Sequence, residues 1–191
     1  MRGLITIVVL GFVALTAVAA NGAQGPSVWL AQKSPVVVVG TGFKAGRTVS
    51  VTYVSGLSHR RRTVTAGPAG QIRAVFGGTT FARCSGAQIA AGGAELIVSP
   101  CSAPGGRPTL IGTLSGIVSG RAFVPHEHVR LLGRVSGEEP VTAAVDAGPA
   151  GGFTGRLLVR RLACAEVFYR ATGSLGSTAT FTVATPDCKA P

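Results

Sequence analysis

Acidic side chains are the scarcest chemistry in this chain. Seven Asp and Glu stand against 18 Lys and Arg in 191 residues, for a formal charge of +11. Asp146 and Asp187 are the only aspartates. Paired carboxylates for acid–base work have few places to come from. Only three histidines are present, and no Gly-x-Ser-x-Gly turn, so nucleophilic catalysis lacks its parts. Gly92-Gly93 and Gly105-Gly106 stand without the strand–loop–helix setting and the lysine of a phosphate loop. No catalytic residue and no cofactor are therefore expected. Aromatics reach only 6%, too few to interleave with basic residues along a nucleic acid, so specific nucleic-acid binding is not expected either. Helix start and stop signals are nearly missing, whereas Val, Thr, Ile and Phe recur in short runs with 28 Gly and 11 Pro between them. That combination excludes a helical domain and favours many short strands.

What is present begins with a leader. Met1-Arg2 is followed by an uncharged apolar run from Leu4 to Val18, then by the small-x-small pattern Ala17-Val18-Ala19 and the polar break Asn21-Gly22. This is the layout of a secretory signal peptide over residues 1–20. The run falls short of the roughly 20 residues that a spanning helix wants. Membrane contact is expected only through this segment, were it retained. The expected location is secreted, extracellular or cell envelope.

The rest of the chain repeats. Ala66-Gly67-Pro68-Ala69-Gly70 returns as Ala147-Gly148-Pro149-Ala150-Gly151, and Gly40, Phe43, Val49 and Cys84 return 80 positions later as Gly120, Phe123, Val129 and Cys164. A period of that length suits one small domain rather than a solenoid unit. Two copies are expected, over 26–103 and 110–191, with 104–109 as a short linker stiffened by Pro104 and Pro108. Within the copies, Val36–Val39 reads as a buried strand. Val49, Val51 and Tyr53 alternate with Ser50 and Thr52 as a half-buried one. Ser55–Arg62 reads as a polar loop. The Gly-Pro-Ala-Gly turn joins Thr63–Thr65 to Gln71–Phe76 as a hairpin. In the second copy, strands are expected at Leu110–Val118, His128–Val135, Val141–Val145, Phe153–Arg160, around Tyr169 and around Phe181. About seven short strands per copy, with turns every 8 to 12 residues, point to an all-β fold of two tandem immunoglobulin-like antiparallel β-sandwiches.

Four cysteines allow three pairings. The repeat favours Cys84–Cys101 and Cys164–Cys188, one bridge per copy. A four-thiolate zinc site would want close Cys-x-x-Cys pairs, which are missing. His126-Glu127-His128 is the one metal-like cluster. On a strand its two histidines would share a face, but His59 is the only other histidine, so no metal site is expected. Arg60-Arg61-Arg62 and Arg160-Arg161 are the densest basic groups and the candidate binding residues for a polyanion, because guanidinium grips phosphate and carboxylate in two-pronged fashion.

The frame Gly40-Thr41-Gly42-Phe43, Val49 and Thr65-Ala66-Gly67-Pro68-Ala69-Gly70 resembles the Ig-like modules of secreted actinobacterial proteins. So does its second-copy form, Gly120-Arg121-Ala122-Phe123, Val129 and Asp146-Ala147-Gly148-Pro149-Ala150-Gly151. It is also similar to enediyne apoproteins of the neocarzinostatin type. The first resemblance implies a non-enzymatic adhesion, binding or envelope module whose partner is an extracellular protein or an anionic envelope polymer. The second implies, as an alternative, a carrier of an apolar small molecule in a sandwich cleft.

Overall fold

The computed structural model describes residues 25–160 and 166–184. The expected signal peptide, Arg161 and the Cys164–Cys188 pair lie outside the described residues. Seven strands make the first half: β1 (Ser27–Lys33), β2 (Val36–Thr41), β3 (Thr48–Ser55), β4 (Ser58–Thr65), β5 (Ile72–Phe76), β6 (Ala87–Ala91) and β7 (Ala94–Val98). Among the described residues seven more make the second: β8 (Thr109–Gly112), β9 (Ile117–Arg121), β10 (His128–Val135), β11 (Val141–Asp146), β12 (Phe153–Arg156), β13 (Glu166–Gly173) and β14 (Thr178–Ala184).

In the first half the sheets run β1-β2-β5 and β4-β3-β6-β7; in the second they run β8-β9-β12 and β11-β10-β13-β14. Each second-half strand occupies the place of the strand seven earlier. Both halves are immunoglobulin-like sandwiches. They differ from the constant-type domain, whose fourth strand extends the three-stranded side, because here the fourth strand pairs with the third.

Two expectations need correction. Ser55–Arg62 is not a loop. Only the Gly56-Leu57 turn interrupts β3 and β4, and Arg60, Arg61 and Arg62 pair across from Tyr53, Thr52 and Val51. Charged strands are usual at a sheet edge, which the polar appearance of the segment disguised. Nor do β4 and β5 form a hairpin. They belong to opposite sheets, so the Gly67–Gly70 turn is a corner that carries the chain across the sandwich.

The corner explains why its sequence repeats. In the first half the Phe43 N–H donates to Gly70 O, the Gly46 N–H to Ala66 O and the Ala66 N–H to Arg47 O. In the second half Phe123, His126 and Ala147 make the same bonds to Gly151, Ala147 and Glu127. Gly70 and Gly151 sit at φ +71° and +70°, and a Cβ at either would overlap the carbonyl oxygen of Phe43 or Phe123. Only glycine meets both the backbone angle and the close approach.

The cores follow the period of two. Val36, Val38, Val51, Tyr53 and Ile89 are fully or almost fully enclosed in the first sandwich, and Val129, Leu131, Tyr169 and Ala171 in the second. One core position is exchanged between copies. Tyr53 on β3 faces Ile89 on β6, whereas the matching pair is Gly133 on β10 and Tyr169 on β13. A Cβ at Gly133 would come within 3.3 Å of the Tyr169 ring, so the large ring and the vacancy it needs have changed strands together.

Candidate functional site

The basic edge is built on β4, one of the two edge strands of its sheet. Residues directly opposite share a face. Arg60 and Arg62 therefore lie on the inward side with Tyr53 and Val51, and Arg61 on the outward side with Thr52. All three are nevertheless exposed. β5, the edge of the opposite sheet, lies beside β4, so these side chains sit at the rim of the sandwich. The three arginines line a hollow of about 240 Å³ against Phe76 and the Gly77–Thr79 turn. Arg60 and Arg62 stand about 6–7 Å apart by the ordinary rise of a strand. Among the described residues none of the three forms an ion pair. Residues 25–103 carry eight Lys and Arg but only one acid, Glu95. The register places Val141, Thr142 and Ala143 at the corresponding positions of β11, so the second copy has no such edge.

Arg160 does not join this group. It lies in the other sandwich, beyond the end of β12, and its guanidinium faces Glu138 at 3.6 Å with both side chains substantially solvated. Such a pair contributes under about 1 kcal/mol.

The His126-Glu127-His128 cluster is dispersed in three directions. His126 precedes β10 with φ +60°, so the strand alternation does not reach it, and its ring packs against Trp29 at a tilt of 39°, centroids 4.8 Å apart. His128 begins β10 and its Nδ1 lies 2.8 Å from Asp146 Oδ1 on β11. Glu127 is 1% exposed, and its carboxylate accepts the N–H groups of Leu175 (2.6 Å), Val124 (3.1 Å) and Ser177 (3.2 Å). No three His, Cys, Asp or Glu side chains gather as a metal site among the described residues.

Glu127 belongs instead to a joint between the sandwiches that sequence reasoning missed. By tying the β9–β10 and β13–β14 loops together it fixes Val124 and Leu175, both buried, and both pack into the core of the first sandwich. Burying two such side chains stabilises by about 3–6 kcal/mol. From the other side comes Arg83, in the short 3₁₀ turn Arg83–Ser85. Its guanidinium donates to Ser99 O (2.5 Å), Gly106 O (2.7 Å) and Ala122 O (2.8 Å). One side chain thus holds the end of the first sandwich, the connecting segment and the second sandwich. Burial pushes its pKa below the ordinary arginine value, while the charge of Glu127 acts in the opposite sense.

The disulfide Cys84–Cys101 braces the same place. It links the residue after Arg83 to the segment after β7, with Cα atoms 4.5 Å apart. Arg107 Nε adds a bond to Cys101 O at 3.2 Å. Two non-glycine residues with positive φ, Ala122 and His126, sit here, where the first copy has Gly42 and Gly46. Strain of that kind costs roughly 1–3 kcal/mol per residue and persists where surrounding contacts impose it.

No family model matches the chain, and no curated protein matches it. A tetra-tandem repeat from the extending region of a large adhesion protein aligns at 16% identity over 86% of this chain, with TM-score 0.36; this chain spans 50% of its length. The FN1–FN3 domains of chicken CNTN1 align at 14% identity over 85% of this chain and 67% of that one, with TM-score 0.30. The BSP domain of a biofilm associated protein aligns at 12% identity over 87% of this chain and 30% of that one, with TM-score 0.29. Similarity at this level says nothing of partners, and the sandwich assignment rests on strand order and register.

Proposed function

We propose that this chain is a secreted, non-enzymatic adhesion or cell-envelope module that holds an anionic polymer along the β4 edge of its first sandwich. The observation that carries the reading is Arg60, Arg61 and Arg62 in succession on a free edge strand, exposed and without acidic partners among the described residues. Edge charge also discourages strand-to-strand aggregation. That role alone does not call for three consecutive arginines beside a hollow. The Cys84–Cys101 bridge supports an oxidising, extracellular setting. The Arg83–Glu127 joint supports a presenting role, since it would hold the two sandwiches at one angle.

The alternative, a carrier of an apolar small molecule, wants a cleft between the sheets. Valine, tyrosine and isoleucine side chains occupy that space in the first sandwich, and the hollow beside β4 lies on its flank.

The test is retention on polygalacturonate and heparin matrices as salt is raised. Three guanidinium contacts contribute about 2 to the slope of log affinity against log salt, at about 0.7 each for a flexible polyanion. The Arg60→Ala/Arg61→Ala/Arg62→Ala variant should lose about that much slope and elute first. Equal elution of the variant and the parent protein, or release of both below physiological salt, would remove the basis for this function.

A further inference from the structure

The outer face of the sheet β11-β10-β13-β14 carries a second surface that distinguishes the copies. Arg134 on β10 is the direct cross-strand partner of Phe168 on β13, which in turn faces Thr182 on β14. Two residues along, Leu132 faces Arg170. Residues two apart on a strand share a face, so Phe168 has one arginine across the ladder and another beside it on its own strand. Phe168 is 38% exposed. It forms a ridge between two hollows. The larger, about 670 Å³, lies toward Leu132, Arg170, Glu138, Glu139 and Pro140. The smaller, about 260 Å³, lies toward Ser136, Glu166 and Thr182. Arg134 borders both.

The repeat supplies an internal control. The positions equivalent to Leu132, Arg134, Phe168 and Arg170 are Thr52, Val54, Gln88 and Ala90. In the first copy Gln88 simply bonds the Glu95 carboxylate at 2.6 Å. A shared fold therefore does not demand an aromatic ring and two arginines here.

We propose that this face binds a saccharide bearing a carboxylate, with the sugar ring laid on Phe168. The π face of an aromatic ring is its negative side and suits the C–H face of a sugar. The larger hollow has the volume of an ordinary small-ligand site but is open, which suits a unit of a polymer better than an enclosed apolar ligand. Arginine offers only donors, and the nearby Glu139 and Glu166 offer only acceptors, so hydroxyl groups, which do both, are met from each direction. The carboxylate goes to the arginines. Among the described residues Arg134 and Arg170 form no ion pair, whereas Glu138 is engaged with Arg160. Guanidinium takes a carboxylate through two parallel hydrogen bonds. This site is separate from the β4 edge and stands or falls without it.

Titration of the full chain with oligogalacturonate, a neutral galactose oligomer and polyglutamate tests the proposal. Oligogalacturonate should bind tightest. Phe168→Ala, Arg134→Ala and Arg170→Ala should each weaken it by about tenfold or more, whereas Phe168→Trp should retain it. In the unmodified protein, backbone amide NMR signals of Arg134, Phe168 and Arg170 should shift on addition, a readout that does not depend on any variant folding. Phe168→Ala binding as tightly as the parent overturns the proposal. So does an NMR footprint confined to Arg60–Arg62, which would assign the acid to the edge alone. Polyglutamate binding as well as oligogalacturonate, indifferent to Phe168, overturns it as well.

Discussion

Replacing Arg83 by alanine should loosen the whole molecule from a single buried position. Three carbonyl oxygens, on Ser99, Gly106 and Ala122, would lose their guanidinium donor. Hydrogen bonds to a charged group contribute about 1.5–3 kcal/mol each. Part of that sum is returned, because the guanidinium no longer has to be desolvated. The same burial lowers the Arg83 pKa from its ordinary value. Buried Glu127 would also lose the favourable charge of the nearby guanidinium. Three such bonds, less the desolvation that is returned, leave an expected loss of about 3–5 kcal/mol. In a chain of this size it corresponds to a fall in Tm of roughly 6–20 °C. Urea unfolding measures it, with Arg73→Ala on the exposed face of β5 as the control. Small-angle scattering of the same variant should show a broader distribution of inter-sandwich distances. Unfolding within about 0.5 kcal/mol of the parent protein, with an unchanged distance distribution, would refute the assignment of Arg83 as the clasp of the joint.

Gly70→Ala and Gly151→Ala should each destabilise by more than about 2 kcal/mol, because strain at positive φ adds to overlap with the Phe43 or Phe123 carbonyl. Gly56→Ala, at φ +54° with nothing near, should cost only about 1 kcal/mol in the same urea titration. The two buried tyrosines should respond differently to losing a hydroxyl. Tyr169 Oη donates to Thr113 O at 2.7 Å, whereas among the described residues Tyr53 Oη has no hydrogen-bond partner, the Ser55 hydroxyl donating instead to Gly86 O. Tyr169→Phe should therefore cost about 1 kcal/mol and Tyr53→Phe close to none. Burial raises both phenol pKa values above the ordinary value near 10. The unfolded chain then ionises first, so stability should hold up to about pH 10 and fall above it. Urea midpoints measured across that window should decline less steeply in the Tyr53→Phe/Tyr169→Phe protein.

The arginines of the basic edge are legible in the sequence, since three in succession need no context to be seen. Their setting is not. A polar run such as Ser58-His59-Arg60-Arg61-Arg62 reads the same whether it is a loop or an edge strand, because an edge strand has little inner face to bury and so shows little alternation. The joint was hidden for a different reason. Glu127 lay in plain view between two histidines, where its neighbours in sequence suggested a metal, yet its actual partners are N–H groups up to 50 residues away. Arg83 was one arginine among many. The Phe168 face was also unread, although the repeat offered a signal: aligning the copies at an offset of 80 sets Phe168 against Gln88 and Arg170 against Ala90.

By itself the amino-acid order determined most of the strands, the sandwich class and the twofold return of the glycine turn. Each of these follows from interactions within a few residues: alternation between two faces of a strand, glycine where the backbone turns left-handed, and the return of both at a constant interval. Tertiary structure alone decided that β5 crosses to β2 instead of folding back on β4. It also decided that Val124 and Leu175 of one sandwich complete the core of the other, and that three carbonyls from three segments meet on one guanidinium. These depend on which distant groups can be desolvated together, and that free energy is set only when the sheets have already stacked.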